Sequence, residues 1–146
     1  MNKITKGLFI GLILLTLTGC NTNKEKTITC TSKENNESTI TLTYNDNKVL
    51  KAKIATNTEY EQNEFADNIF KELVNSFNEV KGINAEFNHI DTNKSSFVIE
   101  ITYDELDLDK LMEKDLIDGD KSYLNEKDKS IDEVLKDLEE EYICNK

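Results

Sequence analysis

The chain has no arginine, no proline and no tryptophan, and a single histidine among its 146 residues. Without arginine there is no planar fork to grip a phosphate or carboxylate through two parallel hydrogen bonds. One histidine cannot build a zinc site, and three cysteines add too few ligands if two of them pair. Cations are scarce: 18 lysines face 29 acids, for a net charge of -11. Nucleic-acid binding needs clustered cations, so this balance argues against it. The same balance argues against adhesion of the domain's own surface to anionic lipid headgroups. Neither a Gly-x-Ser-x-Gly elbow nor a local Cys–His signature occurs, so no nucleophile stands beside an evident base. Long apolar runs are also missing, with one exception from Gly7 to Leu17.

That run follows Lys3 and Lys6 and is broken only by Gly11 and Thr16. A positive start, an apolar middle and small residues before a cut describe a secretory signal peptide. The run is short for a membrane span, which needs about 20 predominantly apolar residues. A cleaved signal and an uncleaved anchor are the two readings. Leu17-Thr18-Gly19-Cys20 resembles the lipobox of bacterial lipoproteins. The resemblance implies a diacylglycerol on the Cys20 sulfur and cleavage just before it. Residues 1–19 are then a signal peptide, 20–26 a lipidated polar tether and 27–146 a single domain. Each buried methylene contributes roughly 0.8 kcal/mol, and two acyl chains hold where one binds only reversibly. The expected location is the extracytoplasmic face of the cell membrane.

Cleavage leaves 127 residues, enough for one domain with a core. It removes two lysines and no acid, moving the charge from -11 to -13. With Cys20 occupied by lipid, Cys30 and Cys144 remain. Outside the cytoplasm such a pair is most simply a disulfide. The alternative is two buried reduced thiols, as in a strict anaerobe. A Cα separation above about 7 Å would exclude the bond.

Alternation predicts strands at Thr27–Ser32, Ser38–Tyr44 and Lys48–Ala55. In the second, Ile40, Leu42 and Tyr44 face one way and Thr39, Thr41 and Thr43 the other. In the third, Leu50, Ala52 and Ile54 turn inward. Asn45-Asp46-Asn47 between them tolerates positive φ and predicts a tight hairpin. The period then changes. Thr58-Glu59-Tyr60-Glu61 reads as a capping box. Phe65, Ala66, Ile69, Phe70, Leu73, Val74, Phe77 and Val80 form the apolar ridge of a helix of about six turns, ended by Gly82. Its phenylalanines are expected in the core.

Ile83–Ile90 and Ser95–Tyr103 alternate again, around the turn Asp91-Thr92-Asn93-Lys94. Asp104 to Met112 predicts a short helix or turn burying Leu106, Leu108 and Leu111. Asp118–Lys121 reads as a polar turn. Ser130-Ile131-Asp132-Glu133 is a second capping box, opening a helix with Ile131, Val134, Leu135, Leu138 and Tyr142 inward. Cys144 follows, placed to clip that helix to the first strand.

The order of these features, with Cys30 and the closing Tyr142-Ile143-Cys144-Asn145-Lys146, resembles the YehR-like small bacterial lipoproteins, a domain-of-unknown-function family. Glu141 and Ile143 stand where that family's closing segment has Gly and Thr. The resemblance implies an α+β fold and the cysteine pair, and carries no activity.

Three sites invite a chemical reading. His89 falls on the apolar face near a strand end, where a half-buried structural histidine is the expectation. Asp115, Asp118, Gly119, Asp120 and Glu126 resemble a calcium loop. Aligning Gly119 on its glycine, however, puts Lys114 and Leu116 at the first and third ligand positions and Asn125 at the twelfth. Cys30 and Cys144 lack the spacing and cationic surroundings of a reactive dithiol, so their expected role is structural. The fold expected is α+β: an antiparallel sheet of about five strands, with a long helix and a C-terminal helix on one face. Its other face would show Thr39, Thr41, Thr43, Lys51, Lys53, Glu86, Glu100 and Thr102. The functional expectation is a non-enzymatic envelope lipoprotein, free of cofactors and metals, that meets a protein or cell-wall partner. The alternative is a small-ligand or cation-binding accessory protein, for example to a transporter.

Overall fold

The computed structural model describes residues 24–34, 37–59, 63–116 and 130–145. Six strands and three helices are described: β1 (Lys26–Ser32), β2 (Ser38–Asn45), β3 (Lys48–Glu59), α1 (Glu64–Asn78), β4 (Ile83–His89), β5 (Lys94–Thr102), α2 (Leu108–Glu113), α3 (Ile131–Leu138) and β6 (Tyr142–Asn145). They form one antiparallel sheet in the order β4-β5-β3-β2-β1-β6. β5 lies between β3 and β4, so α1 carries the chain across it between two strands that run the same way.

Register explains how one face became the core. Cys144, Cys30, Ile40, Ile54, Ile99 and Ala85 stand in one row across all six strands. Phe77 of α1, Leu111 of α2, and Ile131, Val134 and Leu138 of α3 are buried in the same cluster as Cys30, Ile40 and Ala85. All three helices therefore cover that face. The neighbouring row is Asn145, Thr29, Thr41, Lys53, Glu100 and Asn84, on the other side of the pleat. This is the polar face that the alternation predicts, with Thr43, Lys51 and Thr102 in the next row.

Five local expectations change. First, a bulge interrupts the β2–β3 ladder: Thr43 pairs with Lys51 but Tyr44 with Val49, leaving Leu50 as the extra residue. The slip turns Val49 into the core and leaves Leu50 half-buried. The Leu50 carbonyl accepts from the Tyr103 N–H at 3.0 Å instead. Asp46 does adopt positive φ in the hairpin turn.

Second, Thr58 and Glu59 cap no helix. β3 runs to Glu59 because β5 supplies backbone partners, Ser95 for Thr58 and Lys94 for Glu59. The N-cap is Asn63, whose Oδ1 accepts from Ala66 N–H at 2.9 Å. Third, α1 has 15 residues and stops at Asn78, four short of Gly82. Phe77 is buried and Phe70 stacks on Phe87 with ring centroids 4.3 Å apart, but Phe65 is 76% exposed. The first helical turn overhangs the sheet, since Asp67 already meets His89, the last residue of β4. Fourth, the chain after α3 re-enters the sheet as a sixth strand. Finally, β1 takes in Lys26, which the sequence assigns to the tether. The second capping box forms as read: Ser130 Oγ accepts from Glu133 N–H at 3.3 Å and Glu133 Oε2 from Ser130 N–H at 3.0 Å.

The C-terminus of α1 has no basic residue of its own in its last turn. Its compensation comes from α2 and the residue that follows it: Lys110 Nζ donates to the Glu79 carbonyl at 2.7 Å and Lys114 Nζ to the Glu79 carboxylate at 2.6 Å. The Lys114 hydrogen bond, then its charge, lowers the Glu79 pKa below its ordinary value. A lowered folded-state pKa gives stability that is present above the unfolded value and lost as pH falls through the folded one. Glu79→Gln should therefore flatten the stability curve on the acid side of the usual carboxylate range and leave it parallel to wild type near neutrality. Urea unfolding across that range reads the difference, and curves parallel throughout would remove Glu79 from the acid response.

Candidate functional site

Cys20 lies outside the described residues, as do Asp118, Gly119, Asp120 and Glu126 of the calcium-like loop. Among the described residues, no group of three or more His, Cys, Asp or Glu is placed to hold a metal ion. The other two sequence candidates, His89 and the cysteine pair, sit in defined surroundings.

Cys30 and Cys144 form a disulfide, with Cα atoms 3.9 Å apart, across the β1–β6 pair. The Lys33 N–H donates to the Glu141 carbonyl, which places Lys33 opposite Glu141 as a hydrogen-bonded pair. Alternation then makes Cys30 and Cys144 a non-hydrogen-bonded pair, the kind in which side chains approach closest. Cys30 is fully buried beneath α3 and Cys144 half-buried at the sheet edge. Lys33 also ties α3 down from β1's side, its Nζ donating to the Glu139 carbonyl at 2.7 Å and the Glu140 carbonyl at 3.3 Å. A cation there meets the negative end of the helix dipole.

His89 ends β4 on the helix side and joins three elements. Its Nδ1 lies 2.9 Å from Ser95 Oγ, directly opposite it on β5, and its Nε2 lies 3.3 Å from Asp67 Oδ1 in the first turn of α1. Ser, His and Asp in contact invite comparison with a nucleophilic triad. The arrangement differs in two ways. The serine stands on Nδ1 and the aspartate on Nε2, the reverse of the usual order. More decisively, Ser95 is 0% exposed, so its hydroxyl lies where no substrate carbonyl reaches it. Both ring nitrogens are thus engaged, one by the Ser95 hydroxyl and the other by the Asp67 carboxylate. The trio clasps the start of α1 to the β4–β5 hairpin. His89 alone was legible as a candidate. Ser95 shares its face by alternation, but nothing local in the sequence points to Asp67, 22 positions upstream of the histidine.

Asn78, which the sequence did not single out, closes the opposite end of the same interface. Its side-chain amide donates to the Ala85 carbonyl at 3.0 Å, while its Oδ1 accepts from the Ala85 N–H at 2.6 Å. It thereby imitates the peptide of a further strand along the β4 edge. Asn78→Ala should cost about 1–3 kcal/mol, since two hydrogen bonds to a buried backbone are lost. Amide exchange at Ala85 should accelerate with it, and unchanged protection there would show that water or repacking replaces the amide.

Beside the clasp is a recess of about 380 Å³ lined by Asp67, Lys71, Val74, Asn75, Phe87 and His89. Another, of about 390 Å³, lies between α3 and β6 along the disulfide.

Two solved structures share this architecture. The NMR structure of YehR from Escherichia coli superposes with a TM-score of 0.66 at 17% identity, covering 84% of this chain and 93% of that one. The NMR structure of a protein from Streptococcus pneumoniae TIGR4 superposes with a TM-score of 0.62 at 15% identity, covering 99% of both chains. No protein-family model and no curated protein matches the chain. At these identities the likeness is one of fold, and the fold is YehR-like.

Proposed function

We propose that the chain is an envelope lipoprotein, anchored by lipid on Cys20 to the extracytoplasmic face of the membrane, whose domain is a non-catalytic interaction module. The observation that carries the location is the Cys30–Cys144 disulfide, because such bonds persist in oxidising compartments and are rare in the cytosol. The lipobox-like Leu17–Cys20 supplies the anchor. The burial of Ser95 supports the non-catalytic reading, since the one histidine is engaged with a hydroxyl closed to substrate.

Radiolabelled palmitate should enter the wild-type chain and not Cys20→Ser, and intact mass should show a mature product beginning at residue 20. An unmodified product still starting at Met1 would overturn both anchor and location. For the module, crosslinking on intact cells should recover one repeated partner with the anchored chain.

The second reading, a small-ligand accessory protein, draws on the recess beside His89, whose volume lies in the range of small-molecule sites. Calorimetry with calcium and with small carboxylates tests it, and heats that persist in Lys71→Ala and Asp67→Asn variants would place any binding elsewhere.

A further inference from the structure

The two edges of the sheet are finished differently. At β4, the Asn78 amide occupies backbone groups that another strand would use. At β6, the register directs the N–H and C=O groups of Tyr142 and Cys144 away from β1, because Glu141 and Ile143 form the hydrogen-bonded pairs with Lys33 and Thr31. Among the described residues, none is hydrogen-bonded to those outward groups. An edge left in this state is a template for strand addition.

The surroundings define what fits. The recess between α3 and β6 is lined by Leu135 from the helix and by Tyr142 and Cys144 from the strand. A second recess of about 360 Å³ shares Asp132 and Leu135 with it and continues along α3 towards Thr27 and Tyr44. We take the two recesses, which meet at these α3 residues, as one trough beside the edge. Its own lining sets Asp132 and Glu139 against Lys33 and Lys136, and the segment that carries it is acidic. Between Ser130 and Asn145 there are six acids, Asp132, Glu133, Asp137, Glu139, Glu140 and Glu141, against Lys136 alone. Lys33, the other cation at the trough, is engaged with the carbonyls ending α3.

We infer that the β6 edge and the α3 trough dock an extended, lysine- or arginine-bearing segment of a partner protein as an added strand. This rests on the interaction-module reading and gives it a surface and a partner chemistry. Two copies of this chain meeting edge to edge would bring like-charged segments together, so the charge favours a basic partner over self-association.

The test uses the full, lipidated chain in nanodiscs of neutral phosphatidylcholine, with a synthetic peptide of alternating valine and lysine. Amide exchange at Tyr142 and Cys144 should slow by about tenfold or more, while Ile143, already bonded to β1, stays unchanged. A matched valine–glutamate peptide should give no protection. The double variant Asp132→Asn, Glu139→Gln, which puts no cation at the start of α3, should weaken the lysine peptide by about fivefold with melting little changed, because both carboxylates are exposed. Absent protection, equal protection by both peptides, or protection that appears without peptide as protein concentration rises would each overturn the inference. The measurement is independent of palmitate incorporation, so failure of the docking surface and failure of the anchor are told apart.

Discussion

A Cys30→Ala, Cys144→Ala chain should melt about 10–20 °C below the wild type, the shift that a loss of about 2–5 kcal/mol produces in a domain of this size. The bond spans a sequence separation of 114, and so long a loop removes roughly 4–5 kcal/mol of unfolded-state entropy in the chain-entropy model. Its native-side effect is local. β6 has four residues and among the described strands pairs with β1 alone, and ordering each backbone residue costs about 1–2 kcal/mol. Without the crosslink the strand must meet that cost through its ladder and the half-buried Tyr142, whose hydroxyl lies 3.3 Å from Ser38 Oγ. Amide protection at Ile143 should therefore disappear before protection in β2 or β3. Excess thiol should reproduce the shift in wild type and do nothing to the double variant. A shift below about 3 °C would mean that pairing and packing hold β6 unaided.

Gly82→Ala should destabilise the domain as strongly as truncating a buried core side chain. Gly82 has φ of +84°, in the region that disfavours L side chains. A Cβ built there would lie 2.6 Å from both Cα and N of Leu106 and 2.8 Å from the carbonyl carbon of Glu105. These are backbone atoms, so no side-chain rotation relieves the contact. They are also held: Gly82 O accepts from Thr102 N–H at 2.7 Å, and Lys81 O from Asp107 N–H at 3.0 Å. Leu106 itself is fully buried. The left-handed penalty of about 1–2 kcal/mol and an overpacking cost of about 1–3 kcal/mol combine to about 2–5 kcal/mol. Gly82→Asn separates the two terms, because asparagine tolerates positive φ yet carries the same Cβ. If Asn restores wild-type urea stability, the close approach to Leu106 is not the cause.

Long alternating stretches made most of the sheet legible. Ile40, Leu42, Ile99 and Ile101 could be assigned to one face because a pleat repeats every two residues, whatever the strand pairs with. The errors fall where a partner distant in sequence overrode a local signal. Thr58 and Glu59 satisfy a helix-capping pattern, but β5 offers them ladder positions and the strand continues. Leu50 has the alternation of a core residue, and a single bulge exchanges it with Val49. Phe65 carries the helical period beyond the end of the surface that the helix covers. β6 is too short for periodicity to register at all.

The candidate chemistry divides in the same way. His89 was visible as a lone imidazole on an apolar face, but its partners come from a facing strand and a helix turn that no spacing rule connects. The amino-acid order alone carries the lipobox-like Leu17–Cys20 on which the anchor proposal rests, the acidic balance, the α+β class and the cysteine count, since each follows from composition or from patterns within a few residues. The pairing of Cys30 with Cys144 was legible as well, but the ladder that sets them opposite each other, the edge left unpaired among the described residues and the burial of Ser95 were decided by strand order. Those depend on the register between segments as far as 114 residues apart, and register is a property of the assembled sheet.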